Sequence, residues 1–155
     1  MNINEKYMRL ALVEAQKAFD KEEVPIGAVI VKEGKVIARA YNKREEKNMA
    51  TAHAELMAIE KACKKLNSWR LTGCDMYVTV EPCPMCAGAL LNARVSNLYF
   101  GTEDKKSGAV VSNLFSLDQD KVFCNHKVNY EGGVLKVECK EKLQEFFRKL
   151  RSGDK

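Results

Sequence analysis

The chain has 155 residues, a length that suits one domain and leaves no room for a second catalytic one. With 46% hydrophobic and 30% charged residues it has apolar material for a core and charge to keep it dissolved, which excludes disorder and membrane spanning as descriptions of the whole. The formal charge is +5: residues 1–120 hold 17 basic and 16 acidic side chains, and residues 121–155 hold 9 and 5, so nearly all the excess is in the tail. Such a local positive field admits a polyanionic partner there, although a basic excess of this size is more often a solvated surface.

Asn4 is placed to cap a first helix, in which Tyr7, Leu10, Ala11, Ala15, Ala18 and Phe19 recur at helical spacing with Lys and Glu between them. Residues 26–32 and 35–41 read as two β segments joined by a tight turn at Glu33-Gly34. The first is nearly all apolar, as a strand buried on both faces would be. Residues 53–66 read as a second helix, with Leu56, Ala58, Ile59, Ala62, Cys63 and Leu66 on its apolar side and Trp69 packing at its end. Residues 75–80 form a third β segment with alternating Met76, Val78 and Val80. Residues 84–93 suggest a third helix, opened by a proline that loses no hydrogen bond at that position.

Residues 95–100 read as a fourth strand, ended by Gly101. Residues 102–124 show no clear period and read as a long loop with short helical pieces. After Gly132-Gly133, the residues Leu135, Cys139, Leu143, Phe146, Phe147 and Leu150 follow helical spacing to the end. Strands interleaved with helices imply a single α/β layered domain over residues 1–155, a central sheet covered by helices.

The first residues show no basic stretch followed by an apolar one, and no apolar run approaches the roughly 18–20 residues a membrane helix needs, so a cytoplasmic location is expected. Cysteines stay reduced there. For the closely spaced Cys83 and Cys86 a metal or catalytic role therefore outranks a disulfide, while Cys63, Cys74, Cys124 and Cys139 read as small core hydrophobes.

Two fragments carry chemistry: Ala52-His53-Ala54-Glu55 opening the second helix, and Glu81-Pro82-Cys83-Pro84-Met85-Cys86 between the third strand and third helix. A Cys-x-x-Cys at a helix start sets both sulfurs on one side of the first turn, where exposed N–H groups and the positive dipole end favour thiolates. Such a pair suits a soft divalent ion. If His53 supplies a third ligand, the site is Cys₂His with an open position, the arrangement of a catalytic zinc. Zinc would polarise water at that position, and Glu55 is the carboxylate placed to take its proton. Taken separately, the cysteines also fit a redox pair, or half of a structural zinc site completed by Cys74, Cys124 or His126. His53 alone fits an ordinary histidine and Glu55 alone a helix-start carboxylate.

Together, His53-Ala54-Glu55 and Pro82-Cys83-Pro84-Met85-Cys86-Ala87-Gly88-Ala89 resemble the zinc signature of the cytidine-deaminase-like superfamily, and within it the branch that deaminates adenosine in tRNA. The likeness extends through residues 23–29, 40–42, 99–101 and 104–109, Asn125-His126 and Phe146-Phe147-Arg148. It implies a three-layer α/β/α domain with a mixed central sheet, and one Zn²⁺ per subunit held by His53, Cys83 and Cys86. The implied reaction is hydrolytic: water attacks C6 of the wobble adenosine in a tRNA anticodon loop, Glu55 moves the protons, ammonia leaves and inosine remains.

The same resemblance implies that Asn42 contacts the base and Ile26 lines its pocket, and that Asp104, Lys106, Ser107 and Asn125 flank the anticodon loop. It also implies a homodimer. Under it the tail acquires a use, since Phe147, Arg148 and Arg151 combine an aromatic face with cations suited to unpaired bases and phosphates. One of the two phenylalanines should then point inward. The other readings are a zinc deaminase of a free base or nucleoside, such as guanine or cytosine, an RNA-binding module with structural zinc, and a redox protein.

Overall fold

A computed structural model describes residues 2–113 and 126–153. In chain order the elements are α1 (Ile3–Asp20), β1 (Gly27–Lys32), β2 (Lys35–Tyr41), α2 (Arg44–Lys47), α3 (Ala54–Leu66), β3 (Cys74–Val80), α4 (Pro84–Asn92), β4 (Asn97–Thr102), β5 (Asn129–Glu131) and α5 (Lys136–Ser152). The strands form one sheet in the order β2-β1-β3-β4-β5. β1 is antiparallel to both β2 and β3, whereas β3, β4 and β5 run parallel, so the sheet is mixed.

Alternation along the strands builds two cores. Ala28, Ile30, Met76, Val78, Leu98 and Phe100 face α3 and α4 through Ala54, Ala58, Ile59, Ala62 and Leu90. Val29, Val31 and Tyr77 face α1 and α5 through Tyr7, Met8, Ala11 and Cys139. The result is three layers, α/β/α. Because β1 is covered on both faces, it is buried from Gly27 to Val31, as its apolar run requires. The β1–β2 turn has Glu33 at φ 50° and Gly34 at φ 75°, the paired positive angles that match strand twist in a two-residue hairpin.

Three expectations need correction. The cap of α1 is Asn2, whose side chain accepts from the Glu5 N–H at 2.8 Å, while Asn4 accepts a hydrogen bond from the Tyr77 hydroxyl at 2.7 Å. The apolar stripe expected for α1 is present, with Leu10 packed against the core and Phe19 against Phe146, and Met8 joins it. Gly101 does not end β4. It lies inside that strand because α5 presses on it: a β-carbon there would sit 2.3 Å from the Cys139 sulfur and 2.6 Å from the Thr79 carbonyl. Trp69 is 58% exposed, with the Arg70 and Arg94 guanidinium groups 4.9 and 5.6 Å from its ring centroid. Cys74 and Cys139 are buried as expected, Cys63 is half-buried, and Cys124 lies outside the described residues.

Candidate functional site

α3 and α4 begin side by side on one face of the sheet, α4 directly after the C-terminal end of β3. Proline disfavours a helical conformation for the residue before it, so Pro84 leaves Cys83 extended, at φ −76° and ψ 173°, as the N-cap of α4. His53 is the N-cap of α3 in a similar extended conformation, φ −82° and ψ 149°. Neither side chain caps its own helix. Both turn toward the gap between the helices, where Cys86 closes the first turn of α4. His53 Nδ1 lies 3.8 Å from the Cys83 sulfur and 3.6 Å from the Cys86 sulfur, and the three ligand atoms fall within 4.8 Å of one another.

That spacing fits zinc. Tetrahedral ligands at the usual Zn–S and Zn–N lengths are separated by about 3.6–3.8 Å. Three ligands leave one position for water or substrate, and neither Cys74 nor His126 completes a fourth: the only metal-ligating group among the described residues is His53, Cys83 and Cys86. His126 instead lies with Nε2 2.8 Å from the Val95 carbonyl.

The three ligand groups set one another's protonation. Hydrogen bonds from Cys86 and His53 hold the Cys83 thiol down at about 4, so it is a thiolate at neutral pH. The hydrogen bond to Cys83 raises His53, helped by the nearby Glu55 charge. Cys86 is pushed upward by its bond to Cys83 and by burial. Glu55, in the first turn of α3, is 4% exposed, and burial raises its carboxyl to about 7.

His53, Glu55 and Cys83 line a cleft of about 240 Å³, with Cys86 buried behind them. Val24, Ile26 and Asn42 form one wall, Asp104 and Ser107 another, and Arg44 stands at α2 beside them. Asn42 is held by two bonds: its Nδ2 donates to the Val24 carbonyl at 3.2 Å and its Oδ1 accepts from the Arg44 N–H at 3.1 Å. One N–H and one lone pair remain for a ligand.

Of the other residues singled out in the sequence, Lys106 is exposed and outside the cleft lining. Asn125 lies outside the described residues. Phe146 is the inward ring of the tail, 9% exposed and edge-on to Phe19 at 5.9 Å, while Phe147 is 39% exposed and Arg148 and Arg151 are exposed. Phe19 lies in the last turn of α1, so this end of α5 is anchored on the C-terminal end of α1.

Sequence reading missed Val24, Arg44 and Glu81 as cleft residues. Arg44 belongs to a four-residue helix too short to show a period. Glu81 adjoins the metal motif, but its role depends on a segment more than twenty residues later. Against the cost of burial, hydrogen bonds from Ser112, Val111, Asp104 and Val110 hold its carboxyl below the usual range.

A three-layer fold with two helix starts converging on a Cys₂His group that could hold a metal, beside a buried glutamate, is the setting of a deaminase, and the model of the MafB19-like deaminases matches residues 2–151: the chain belongs to that family. Within it the chain is similar to the tRNA-specific adenosine deaminase of Bacillus subtilis (strain 168), 49% identical over all of this chain and 95% of that protein. It is equally similar to the tRNA-specific adenosine deaminase of Aquifex aeolicus (strain VF5), 49% identical over 96% of each. A solved structure from work on A-to-I editing by tRNA A34 deaminases superposes with a TM-score of 0.84 at 47% identity, covering 89% of this chain and 99% of that one.

Proposed function

We propose that the protein is a zinc-dependent hydrolase that deaminates adenosine to inosine at the wobble position of a tRNA anticodon loop and releases ammonia. One observation carries the chemistry: three metal-ligating atoms within 4.8 Å of one another, beside a buried glutamate, at a cleft that His53, Glu55 and Cys83 line. The choice of substrate is supported by the near-full-length likeness to deaminases named for tRNA.

Held by His53, Cys83 and Cys86, zinc would supply Lewis-acid activation of water. Glu55 is the catalytic base and acid. With its carboxyl near neutrality it can take a proton from water and pass it to the purine ring nitrogen, then take the second proton from the hydroxyl now on C6 and pass it to the amine, which leaves as ammonia while the C6 oxygen becomes a carbonyl. Ile26 supplies an apolar wall for the base, and Asn42 offers its remaining N–H and lone pair to the base edge. A cleft of about 240 Å³ takes a base and not a folded RNA, so the stem-loop lies across the outer surface. Asp104, Lys106, Ser107 and Asn125 are assigned to its flanks, and Phe147, Arg148 and Arg151 to its unpaired bases and phosphates. The protein acts in the cytoplasm as a homodimer; among the described residues no helix is long and apolar enough to cross a membrane.

The decisive experiment incubates zinc-loaded protein with an anticodon stem-loop and, separately, with free adenosine, cytidine and guanine, and follows products by mass spectrometry. Inosine in the stem-loop alone is the expected result. Turnover of a free base or nucleoside with the stem-loop untouched overturns the RNA assignment. Sedimentation of the zinc-loaded protein tests the dimer, and a monomer at assay concentration overturns it.

A further inference from the structure

Glu81 lines the cleft, yet its carboxylate has no capacity left for a substrate. One oxygen accepts from the Asp104 N–H at 3.0 Å and from the Ser112 hydroxyl. The other accepts from the N–H groups of Val110, Val111 and Ser112 at 2.9, 2.8 and 3.0 Å. Five donors saturate the roughly four lone-pair directions of a carboxylate. The side chain is 3% exposed, and the Gly108 backbone comes so close that a β-carbon there would sit 2.4 Å from the carboxylate.

All five donors belong to residues 104–112, the stretch that delivers Asp104 and Ser107 to the cleft. That stretch is folded on itself: Asp104 Oδ1 accepts from the N–H groups of Lys106 and Ser107, and Asn113 Nδ2 donates to the Gly108 carbonyl at 2.8 Å. Its attachment to the metal-binding turn runs through Glu81 and through the Ala109 N–H, which donates to the Pro82 carbonyl at 2.8 Å. Glu81 therefore stands between two parts that must be in register, the turn carrying Cys83 and Cys86 and the wall beside the substrate.

We infer that Glu81 is a positioning residue for RNA: it clamps residues 104–112 onto the metal turn and so fixes Asp104 and Ser107 against the flanks of the reacting nucleotide. The inference rests on the RNA-deaminase reading above. It predicts an effect on substrate binding with the metal and the chemical step left intact.

Steady-state kinetics of the zinc-loaded protein on an anticodon stem-loop provide the test, with amide hydrogen exchange over residues 104–112 measured in parallel. Glu81→Gln replaces an acceptor oxygen by an amide that faces N–H donors. KM is expected to rise about 10- to 100-fold, kcat to stay within about threefold, and zinc to remain at one per chain. Gly108→Ala presses on the same carboxylate from the other side and should act alike, and the double variant should exceed the larger single effect by little, since both break one contact. Ser112→Ala removes one donor only and keeps the test open if the others fail to fold; a KM rise of about two- to threefold is expected.

Unchanged KM and unchanged exchange overturn the inference. Loss of zinc with KM and kcat per bound zinc unchanged also overturns it, marking Glu81 as a support of the fold alone. A wild-type protein inert toward the stem-loop overturns the activity assignment and the substrate half of the inference, while faster exchange in Glu81→Gln still establishes the clamp.

Discussion

Glu55 and Glu81 are both buried carboxylates in one cleft, and their neighbours give them opposite chemistry. Glu81 is saturated by five donors and stays ionised, whereas Glu55 gains little that offsets burial and titrates near neutrality. Glu55→Gln should therefore retain zinc, measured by elemental analysis, and lose about 10²–10⁴-fold in inosine formation. The raised carboxyl also has a stability consequence in metal-free protein. Folding holds the Glu55 proton more tightly than the unfolded chain does, so its contribution is complete below the ordinary carboxyl value of 4.5 and is lost as pH rises through about 7. Urea unfolding of metal-free protein between pH 5 and 8 should show wild type losing up to about 3 kcal/mol more than Glu55→Gln. Equal slopes for the two proteins would contradict the burial effect.

At the scale of elements, periodicity revealed most helices and strands because each buries one face, or both in β1. It revealed little where an element is short or a contact is distant. β5 has three residues and α2 four, below any repeat. Gly101 looks like a strand terminator in sequence, yet it is where α5 meets β4. Gly101→Ala should thus cost about 1–3 kcal/mol in denaturant unfolding, since the new methyl meets the Cys139 sulfur and the Thr79 backbone. The β1–β2 turn makes the converse prediction. Glu33 occupies φ 50°, a conformation asparagine adopts more readily, so Glu33→Asn should raise stability by about 0.5–1 kcal/mol by the same measurement.

Over the whole molecule, the basic excess of residues 121–155 now has a location. α5 is fastened by Phe146 against Phe19 at the end of α1 and leaves Phe147, Arg148 and Arg151 exposed. Arg148→Ala with Arg151→Ala should weaken stem-loop binding and reduce the slope of log K against log salt by up to about 1.4, two single-strand phosphate contacts. An unchanged slope would make the tail a solvating surface.

From the chain alone the candidate site was legible as two local motifs, His53 with Glu55 and Cys83 with Cys86, whose conjunction resembles a zinc-deaminase signature although each motif alone admits other readings. The layered architecture was legible too, since burial of one face imposes a period. Three features emerge from the folded chain alone: the bonds that orient Asn42 in the cleft wall, Phe146 rather than Phe147 as the inward ring, and the gathering of residues 104–112 by Glu81. Each of these depends on contacts between segments far apart in the chain, which hydrophobic periodicity and local spacing do not encode.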